Sequence, residues 1–502
     1  MNPPTAEPST EIFLGIAYLA SALRKAEHEV KVIDATAPFN PMNADDVNRS
    51  IMDFKPDFIG VTLIFRHITK TYNYLDELAK LGIPIVAGGP HVNPLPQEVL
   101  AHSVDIVVLG EGEQTIVELA EYFAGNIRCL DDIRGLVIKN EDGSIHSTLA
   151  RQQIKNLDEL PFPDFSDFPI RNYTGSDDVN SNPIFWSIFS SRGCPFNCTF
   201  CYSHNLFGRT YRLRSAQNIF DEISNLISKF KVEKIAFQDD EILVSRDRMM
   251  RFCDLVGKSN INVKMSLRTR INSIDAGLLQ KMSEVGFSRI SFGIESWNNE
   301  TLHKINKKYN VEAIKSGLDI LVKSNFNFTY FNTLIGFPWE TKKHFQDNLE
   351  TIGQIPKGLR YINSVVTPIP YPSTELYNEY HVEYGFTDWW LKSDMFPKGL
   401  PSGKYKPLYY HFANQLIPLH SPDQFWKFSS KQQQDIEWFC WQVFRLTLQR
   451  HLNFVEGSLV YFLSLASHKI WKSSPLLEHA IFRFVPQKFI DGVTKKMSYT
   501  EK

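Results

Sequence analysis

The chain has 502 residues, of which 43% are hydrophobic and 22% are charged, a composition typical of a globular protein with several domains. The net charge of −2 excludes a global basic field that would attract nucleic acid. Six cysteines are too few for a secreted disulfide framework. The N-terminal residues do not have the pattern of a signal peptide, and no run of about 18 apolar residues predicts a transmembrane helix, so we expect a cytoplasmic protein.

The first 125 residues alternate between helical and strand patterns. An amphipathic helix is predicted at 13–25, and further helices follow the strands. Short strands rich in β-branched residues are predicted at 30–35, 58–63, 83–89 and 105–113. Repeated βα units of this kind predict a parallel, doubly wound, Rossmann-like sheet over residues 1–125. Ligands of such sheets bind beyond the carboxyl ends of the strands, where the turns GGPH and GEGE lie.

Residues 126–183 have a different character from the βα units before them. The stretch LVIKNEDGSIHST predicts a hairpin with Asp142 and Gly143 in its turn. The stretch LDELPFPDFSDFPI is rich in proline and phenylalanine and predicts an extended segment. We therefore expect a linker that contains one hairpin.

A second βα series extends over residues 184–375. Its six predicted strands lie at 184–191, 234–240, 262–270, 289–296, 327–338 and 361–370. Six strands are too few for a closed eight-stranded barrel, so the series predicts a partial, parallel (β/α)6 barrel with its site at the carboxyl ends of the strands. Residues 376–502 show no strand alternation and predict a helical C-terminal region.

Three of the six cysteines lie close together, as Cys194, Cys198 and Cys201 in the segment SRGCPFNCTFCYSH. Three thiolates in one loop can hold three irons of a [4Fe–4S] cluster and leave the fourth iron open to chelate a ligand. A zinc site, which usually has four ligands, is also compatible with the spacing if His204 supplies the fourth. The spacing alone therefore predicts a three-thiolate metal site of either kind.

The position of this CxxxCxxC motif after the first strand of a βα series, with Phe200 before the third cysteine, resembles the radical S-adenosylmethionine superfamily. Four later segments at strand ends agree in order, namely FQDDE (237–241), GIES (293–296), GFPWET (336–341) and TPIPYPSTELY (367–377). The resemblance implies a [4Fe–4S] cluster held by the three cysteines, whose open iron binds S-adenosylmethionine. It also implies reductive cleavage to a 5′-deoxyadenosyl radical, with electrons from a donor such as flavodoxin or ferredoxin.

The same resemblance implies which residues contact S-adenosylmethionine. Asp240 is placed for a ribose hydroxyl or the surroundings of the sulfonium, although capping of the next helix explains an acid there equally well. Arg268 and Arg270 lie two apart on one predicted strand and are expected to face the same side, where they suit the methionine carboxylate, with pairing to local acids as the alternative. Glu295 suits the methionine ammonium, with a buried structural carboxylate as the alternative. The implied contacts are Phe200, Asp240, Arg268, Gly293, Glu295 and Gly336.

The N-terminal domain, residues 1–125, resembles the cobalamin-binding domain that precedes many radical S-adenosylmethionine cores. The segments that carry this resemblance are NPP (2–4), LGIAYLASALRKAEHEVKVIDA (14–35), VAGGPHVNPLPQEVLAH and VVLGEGE. The resemblance implies cobalamin contacts at Gly88, Gly89, Gly110, Glu111 and Gly112, where the alternative for the glycines is a tight turn.

Two features depart from that pattern. The DxHxxG motif of domains that ligate cobalt through a histidine is missing from the sequence, so we interpret His91 as a turn residue near the corrin. In the family a strand precedes NPP, whereas here Met1 directly precedes Asn2, so we expect a sheet without its first strand.

Together the two resemblances imply a cobalamin-dependent radical enzyme that methylates an unactivated carbon of a small molecule. A radical cyclase of the anaerobic porphyrin type would use the same cofactors, and a non-catalytic cobalamin- or metal-binding regulator is the alternative of another class. Residues 424–502 contain 11 Lys and Arg against 6 Asp and Glu. That segment is interpreted as a packed helical cap or as a peripheral membrane contact.

Overall fold

The computed structural model describes residues 1–5, 12–37, 41–140, 142–168, 170, 185–326, 328–392 and 429–451. The N-terminal part is an α/β sheet whose strands are β1 (Ile59–Thr62), β2 (Ile85–Gly88), β3 (Ile106–Val108), β4 (Leu136–Lys139) and β5 (Ile145–Ser147), hydrogen-bonded in that order. The helices of this part are α1 (Leu14–Lys25), α2 (Ala44–Phe54), α3 (Ile68–Leu78), α4 (Pro96–Leu100) and α5 (Glu113–Phe123). β1, β2 and β3 are parallel, as the repeated βα units predict.

The predicted strand at 30–35 is present only as a parallel bridge between Asn2 and Asp34. The Asn2 amide donates to the Ile33 carbonyl at 2.9 Å, and the Ala35 amide donates to the Asn2 carbonyl at 3.1 Å. On the other side, the Thr62 amide donates to the Met1 carbonyl at 3.1 Å. Met1 and Asn2 therefore lie between the 33–35 segment and β1.

The hairpin predicted at 136–147 forms, but it is part of the N-terminal sheet. β4 pairs antiparallel with β3, and β5 pairs antiparallel with β4. All three residues of β3 are buried. The hairpin covers an edge of the parallel sheet that would otherwise expose unpaired backbone groups, and this is why the sheet continues past residue 125.

The second sheet contains six parallel strands in the order β13-β12-β11-β10-β9-β6, as the second βα series predicts. These strands are β6 (Phe185–Ile188), β9 (Lys234–Phe237), β10 (Lys264–Thr269), β11 (Phe287–Glu295), β12 (Phe328–Leu334) and β13 (Tyr361–Val366). A short hairpin of β7 (Ser191–Arg192) and β8 (Arg212–Leu213) follows β6. The remaining helices are α6 (Ser203–Phe207), α7 (Ala216–Phe230), α8 (Arg246–Gly257), α9 (Ala276–Glu284), α10 (Asn299–Lys304), α11 (Val311–Val322), α12 (Lys342–Gly353), α13 (Glu375–Tyr380) and α14 (Ser430–His451).

Side-chain burial along β11 distinguishes the two faces of this sheet. Ile290, Phe292 and Ile294 are completely buried, whereas Ser291 and Gly293 between them are only half-buried. Successive residues of a strand point to opposite faces, so the first three pack on one face and the others line the opposite, interior face. The site expected at the strand ends therefore opens on the face that carries the polar positions.

Helix α14 packs against α12 and β13. The rings of Phe345 and Phe439 are 5.4 Å apart, and Lys342 forms an ion pair with Asp435 at 3.7 Å. The predicted helical character is therefore present at 430–451, whereas Trp426 and Trp471 lie outside the described residues. Within the described ranges, no helix has both the length and the apolar character needed to cross a membrane.

An aromatic cluster joins the two sheets at their carboxyl ends. The ring of Phe65, after β1, lies 5.3 Å from that of Tyr202, which follows the cysteine segment. The same ring lies 5.1 Å from Tyr371 and 6.1 Å from Trp389, both after β13. The tyrosine hydroxyl of Tyr202 also donates to the Pro90 carbonyl in the GGPH turn. The turns beyond the N-terminal strands therefore contact the turns beyond the barrel strands.

Candidate functional site

The three cysteines lie in a loop, 194–201, that starts at the β7–β8 hairpin. Gly193 has a φ of +81°, and a side chain there would collide with the Thr210 carbonyl, so glycine permits the sharp entry into the loop. The Cys201 amide donates to the Cys198 carbonyl at 3.1 Å. The loop is also anchored by the Thr199 amide, which donates to the Ile305 carbonyl at 3.2 Å.

The chemistry of this loop fits an iron–sulfur cluster. Cys194, Cys198 and Cys201 are free thiols, each half-buried. Burial raises the pKa of Cys194 to about 11 and that of Cys201 to about 12, and the neighbouring Cys198 adds to both effects. Across the described ranges, no three Cys, His, Asp or Glu side chains already stand together as a metal-binding group. The donor set is nevertheless the one that a three-thiolate cluster requires.

Glu295 ends β11 in a strained conformation beside the loop. Its φ is +66°, and the pairing with β12 shifts register between Gly293 and Glu295. A side chain at Gly293 would collide with the Glu295 carboxylate, so the GIES segment needs a glycine there. The Lys307 ammonium donates to this carboxylate at 3.1 Å. Burial alone would lower the pKa of Lys307, but the adjacent Glu295 carboxylate raises it overall, so Lys307 stays charged.

Of the three acids in FQDDE, only Asp240 is exposed towards the site. It accepts a hydrogen bond from the Ser203 hydroxyl at 2.5 Å. Asp239 is buried and accepts from the amide and hydroxyl of Ser190. Glu241 is buried, and one of its oxygens accepts from the Leu243 amide at 3.2 Å. Asp239 and Glu241 are thus both used within the protein, Glu241 as a helix cap. Asp240 remains available for a ligand.

Arg268 and Arg270, at the end of β10, differ in their exposure to solvent. Arg268 lies in β10 and is exposed. Burial raises the pKa of Asp240, and the nearby charge of Arg268 opposes that rise without cancelling it. Arg270 follows the last residue of β10 and is 5% exposed. Only Arg268 is accessible from the open interior of the barrel.

Phe200 and Gly336 lie on two further segments at the carboxyl ends of the strands. Phe200 is half-buried, with the Lys307 ammonium 5.9 Å from its ring centre. Gly336 has a φ of +86°, and its amide donates to Glu340 at 2.8 Å. Glu340 also accepts from the Phe337 amide at 3.2 Å and holds the GFPWET turn closed. Burial raises the pKa of Glu340 to about 7, although the two amide contacts oppose that rise.

The four glycines predicted to contact cobalamin fall into two pairs. A side chain at Gly88 or Gly110 would meet nothing within 4 Å, so both border open space. A side chain at Gly89, whose φ is +101°, would come within 2.7 Å of Thr62, and one at Gly112 within 3.1 Å of Leu19. Gly88 and Gly110 are the positions where a large ligand can approach the backbone. Gly89 is required by its backbone conformation and packing, and Gly112 is in tight contact with Leu19.

The Glu111 side chain is directed away from that open space. Its carboxylate accepts from the Arg192 and Arg212 guanidinium groups, each at 2.6 Å, and from the Ile154 amide at 2.9 Å. Glu113 binds the other end of the Arg192 guanidinium at 2.5 Å. All four charged side chains are less than 10% exposed. The side chain of Glu111 therefore joins the GEGE turn to the β7–β8 hairpin, and only its backbone remains for the predicted cobalamin contact.

His91 is held in a hydrogen-bonded network. It is completely buried, and its Nε2 lies 2.8 Å from the Tyr72 hydroxyl and 3.2 Å from the Glu98 carboxylate. The Trp390 indole donates to the same carboxylate at 2.9 Å. These contacts agree with the interpretation of His91 as a turn residue.

The sequence patterns did not indicate a role for Lys307 or for the two arginines that bind Glu111. Lys307 and Lys308 are adjacent, yet Lys307 is 5% exposed and Lys308 is exposed to solvent. A role for Arg192 could have been predicted, because it lies two residues before Cys194 in the cysteine segment. No such prediction was possible for Arg212, because nothing in its surrounding sequence distinguishes it from a surface arginine.

Comparisons with known proteins agree with both halves of this site. The model of the Radical SAM superfamily matches residues 188–352, and that of the B12 binding domain matches residues 9–120. An uncharacterized methyltransferase of Pyrococcus horikoshii is 30% identical over 373 residues, which cover 72% of this chain and 77% of the relative. Cytidylyl-2-hydroxyethylphosphonate methyltransferase of Streptomyces wedmorensis is 27% identical over 340 residues, 59% of this chain and 63% of the relative. Anaerobic magnesium-protoporphyrin IX monomethyl ester cyclase of Rubrivivax gelatinosus is 29% identical over 343 residues, 66% of this chain and 60% of the relative.

Two solved structures share the fold. The cobalamin-dependent S-adenosylmethionine radical enzyme OxsB, with aqua-cobalamin and S-adenosylmethionine bound, superposes with a TM-score of 0.66 at 15% identity, covering 99% of this chain and 78% of that one. The radical S-adenosylmethionine methyltransferase TsrM of Kitasatospora setae, with cobalamin and a [4Fe–4S] cluster bound, has a TM-score of 0.62 at 18% identity, with coverages of 76% and 77%.

The chain belongs to the family of radical S-adenosylmethionine enzymes that carry a cobalamin-binding domain. Its cofactors are a [4Fe–4S] cluster, S-adenosylmethionine and cobalamin. Membership in this family of enzymes argues against the non-catalytic regulator.

The buried ion pairs of Glu111 predict a large loss of stability on substitution. Glu111→Gln leaves guanidinium charge buried without its partner, so the free energy of unfolding should fall by about 3–5 kcal/mol, measured by urea unfolding of the full chain. Glu77→Gln, in an exposed pair with Lys80, is the matched control and should change that free energy by less than about 1 kcal/mol. Equal effects of the two substitutions would contradict the assignment.

The raised pKa of Glu340 predicts a pH-dependent stability. The folded protein binds the proton of Glu340 more tightly than the unfolded chain does. This proton therefore contributes to the free energy of unfolding in full below about pH 4.5, and the contribution is lost as the pH rises through about 7. Glu340→Gln imitates the protonated side chain. Relative to the wild type, the variant should therefore gain roughly 3 kcal/mol of unfolding free energy between about pH 5 and about pH 8. Parallel stability curves for the two proteins would refute this pKa.

Proposed function

We propose that this protein is a cobalamin-dependent radical S-adenosylmethionine methyltransferase that methylates an unactivated carbon of a small molecule. The observation that carries the proposal is the direct contact between the GEGE turn and the hairpin that bears the cysteine loop. Glu111 of the turn binds Arg192, which lies two residues before Cys194. A cobalamin at the open face of Gly110 would thus lie beside the S-adenosylmethionine site, as methyl transfer between the two requires.

The residue roles follow from where the side chains lie. Cys194, Cys198 and Cys201 hold the [4Fe–4S] cluster. The open backbone at Gly88 and Gly110 receives cobalamin, while Gly89, Glu111 and Gly112 shape and anchor the two turns. The S-adenosylmethionine contacts are assigned to Phe200, Asp240, Arg268, Gly293, Glu295 and Gly336.

The charged residues of this chain orient S-adenosylmethionine. When bound, the cluster supplies the electron for its cleavage and cobalamin supplies the methyl group. The Glu295 carboxylate, which pairs with the Lys307 ammonium at 3.1 Å, would receive the methionine ammonium. Arg268, exposed towards the interior, would pair with the methionine carboxylate. The aromatic cluster around Phe65 would help to keep water away from the reacting groups.

A radical cyclase is the second candidate function. The Rubrivivax gelatinosus cyclase has 29% identity to this chain, close to the values for the two methyltransferases. The chain spans 77% of the Pyrococcus relative but only 60 to 63% of the other two. The similarity alone therefore does not assign either methyl transfer or cyclisation to this chain.

The proposed setting is the cytoplasm, with a small-molecule substrate and an electron donor such as flavodoxin or ferredoxin. Free thiols and an iron–sulfur cluster favour a reducing compartment. The net charge of −2 gives no support to nucleic acid binding. Peripheral membrane contact would involve the basic residues of 424–502, most of which lie outside the described residues.

Product analysis tests the proposal. We expect the protein, reconstituted anaerobically with iron, sulfide and cobalamin and given reductant and S-adenosylmethionine, to release 5′-deoxyadenosine and S-adenosylhomocysteine. Mass spectrometry measures both compounds. 5′-Deoxyadenosine without S-adenosylhomocysteine would favour the cyclase, and the formation of neither would refute both enzyme functions.

Two cysteine variants serve as controls for that experiment. Cys198→Ala removes a proposed iron ligand, so the visible absorbance of the cluster and both products should be lost. Cys129→Ala removes an exposed thiol outside the loop and should retain cluster and products. Retention of the cluster by the Cys198 variant would contradict the ligand assignment.

The open face of Gly88 predicts a selective effect on cobalamin. Gly88→Val places a side chain in space that the protein leaves empty, so the melting temperature should stay near that of the wild type. Cobalamin, followed by its visible spectrum on titration, should bind at least about tenfold more weakly because the side chain takes its place. Gly60→Val, at an equally open position near the amino end of β1, should bind cobalamin normally. Equal affinities for both variants would refute the site.

A further inference from the structure

We infer that Arg270 is a positioning residue of the iron–sulfur site, and that its guanidinium holds Cys198 and raises the reduction potential of the cluster bound there. The inference rests on the proposed function, because the potential belongs to the cluster that the three cysteines are proposed to hold. It assigns to Arg270 a role different from that of Arg268, which is proposed to meet S-adenosylmethionine.

The guanidinium group of Arg270 is held by contacts on several sides. Its Nη1 lies 3.8 Å from the Cys198 Sγ, and its Nη2 donates to the Lys307 carbonyl. The guanidinium stacks on the ring of Phe196, 3.8 Å from its centre, and lies 4.9 Å from the centre of the Tyr309 ring. Phe196 lies between Cys194 and Cys198, so this cation–π contact fixes the loop as well as one sulfur.

The charge of Arg270 has no carboxylate partner within salt-bridge distance among the described residues. The nearby Lys307 is matched by Glu295 at 3.1 Å. Glu241 binds the Arg270 amide and the Thr269 hydroxyl rather than the guanidinium. The Nε of Arg270 is buried and makes no hydrogen bond to any described residue. A buried cation with an unused donor is costly, so the site calls for an anion beside it.

A cluster held by three thiolates supplies that anion. It carries negative charge in its oxidised state, and reduction adds one more negative charge. A cation in a buried site therefore stabilises the reduced state more than the oxidised state, and this raises the reduction potential. An N–H group directed at a ligating sulfur acts in the same direction.

Redox titration of the reconstituted full-length protein, monitored by electron paramagnetic resonance without S-adenosylmethionine, tests this role. Arg270→Gln removes the charge but keeps a donor, so at a fixed applied potential the ratio of reduced to oxidised cluster should fall about tenfold, or about 59 mV for a one-electron couple. Arg270→Lys keeps the charge and should stay close to the wild type. Arg251→Gln, an exposed arginine on α8, removes the same charge at the surface and should leave the potential unchanged.

The outcomes separate the inference from the proposed function. A wild-type protein that assembles no cluster would overturn the proposed function, and the inference with it. A loaded Arg270→Gln protein with the wild-type potential would overturn the inference alone, even if it binds S-adenosylmethionine more weakly. If the Arg270→Gln variant does not assemble a cluster, the potential of the Arg270→Lys variant is the deciding measurement. A cluster at the wild-type potential supports the inference, and loss of the cluster or a lowered potential overturns it.

Discussion

The buried ion pairs between the GEGE turn and the β7–β8 hairpin are the contact on which the rest of the site depends. Glu111 and Glu113 come from the end of the N-terminal sheet, and Arg192 and Arg212 from the entrance to the cysteine loop. Pairs of this kind contribute little net stability, because desolvation of the charges offsets their attraction. They are directional, however, and they leave few arrangements in which every charge is matched. The distance between the two proposed cofactor sites is set by that requirement.

Much of the fold could be predicted because it is encoded in local patterns. The alternation of buried and half-buried residues in β11 has the period of a strand, and the helix between each pair of strands dictates parallel pairing. The cysteine loop could be recognised for a similar reason, since its three proposed ligands lie in one short segment. Glu295 and Gly336 could be placed at strand ends because each lies within the last residues of a predicted strand.

The features that could not be predicted depend on pairing between distant residues. The 136–147 hairpin has the same local pattern whether it stands alone or adds to a sheet, and only the exposed edge of β3 decides. Glu111 was predicted to contact cobalamin, but its partners lie 81 and 101 residues away. The pattern of β10 gives Arg268 and Arg270 the same face, yet the strand ends between them and only Arg270 turns into the core. In each case the local sequence is compatible with both arrangements, and tertiary packing selects one.

The shared interface limits how far the two halves can be exchanged. By its motifs the chain resembles two modules in series, which suggests that either could be replaced by the same module from another family member. A transplanted N-terminal module would bury Arg192 and Arg212 without partners unless it carried acids at the positions of Glu111 and Glu113. It would also need an aromatic residue at the position of Phe65 to fill the space beside Tyr202 and Tyr371. An exchange of the cobalamin module therefore has to preserve these contacts with the barrel.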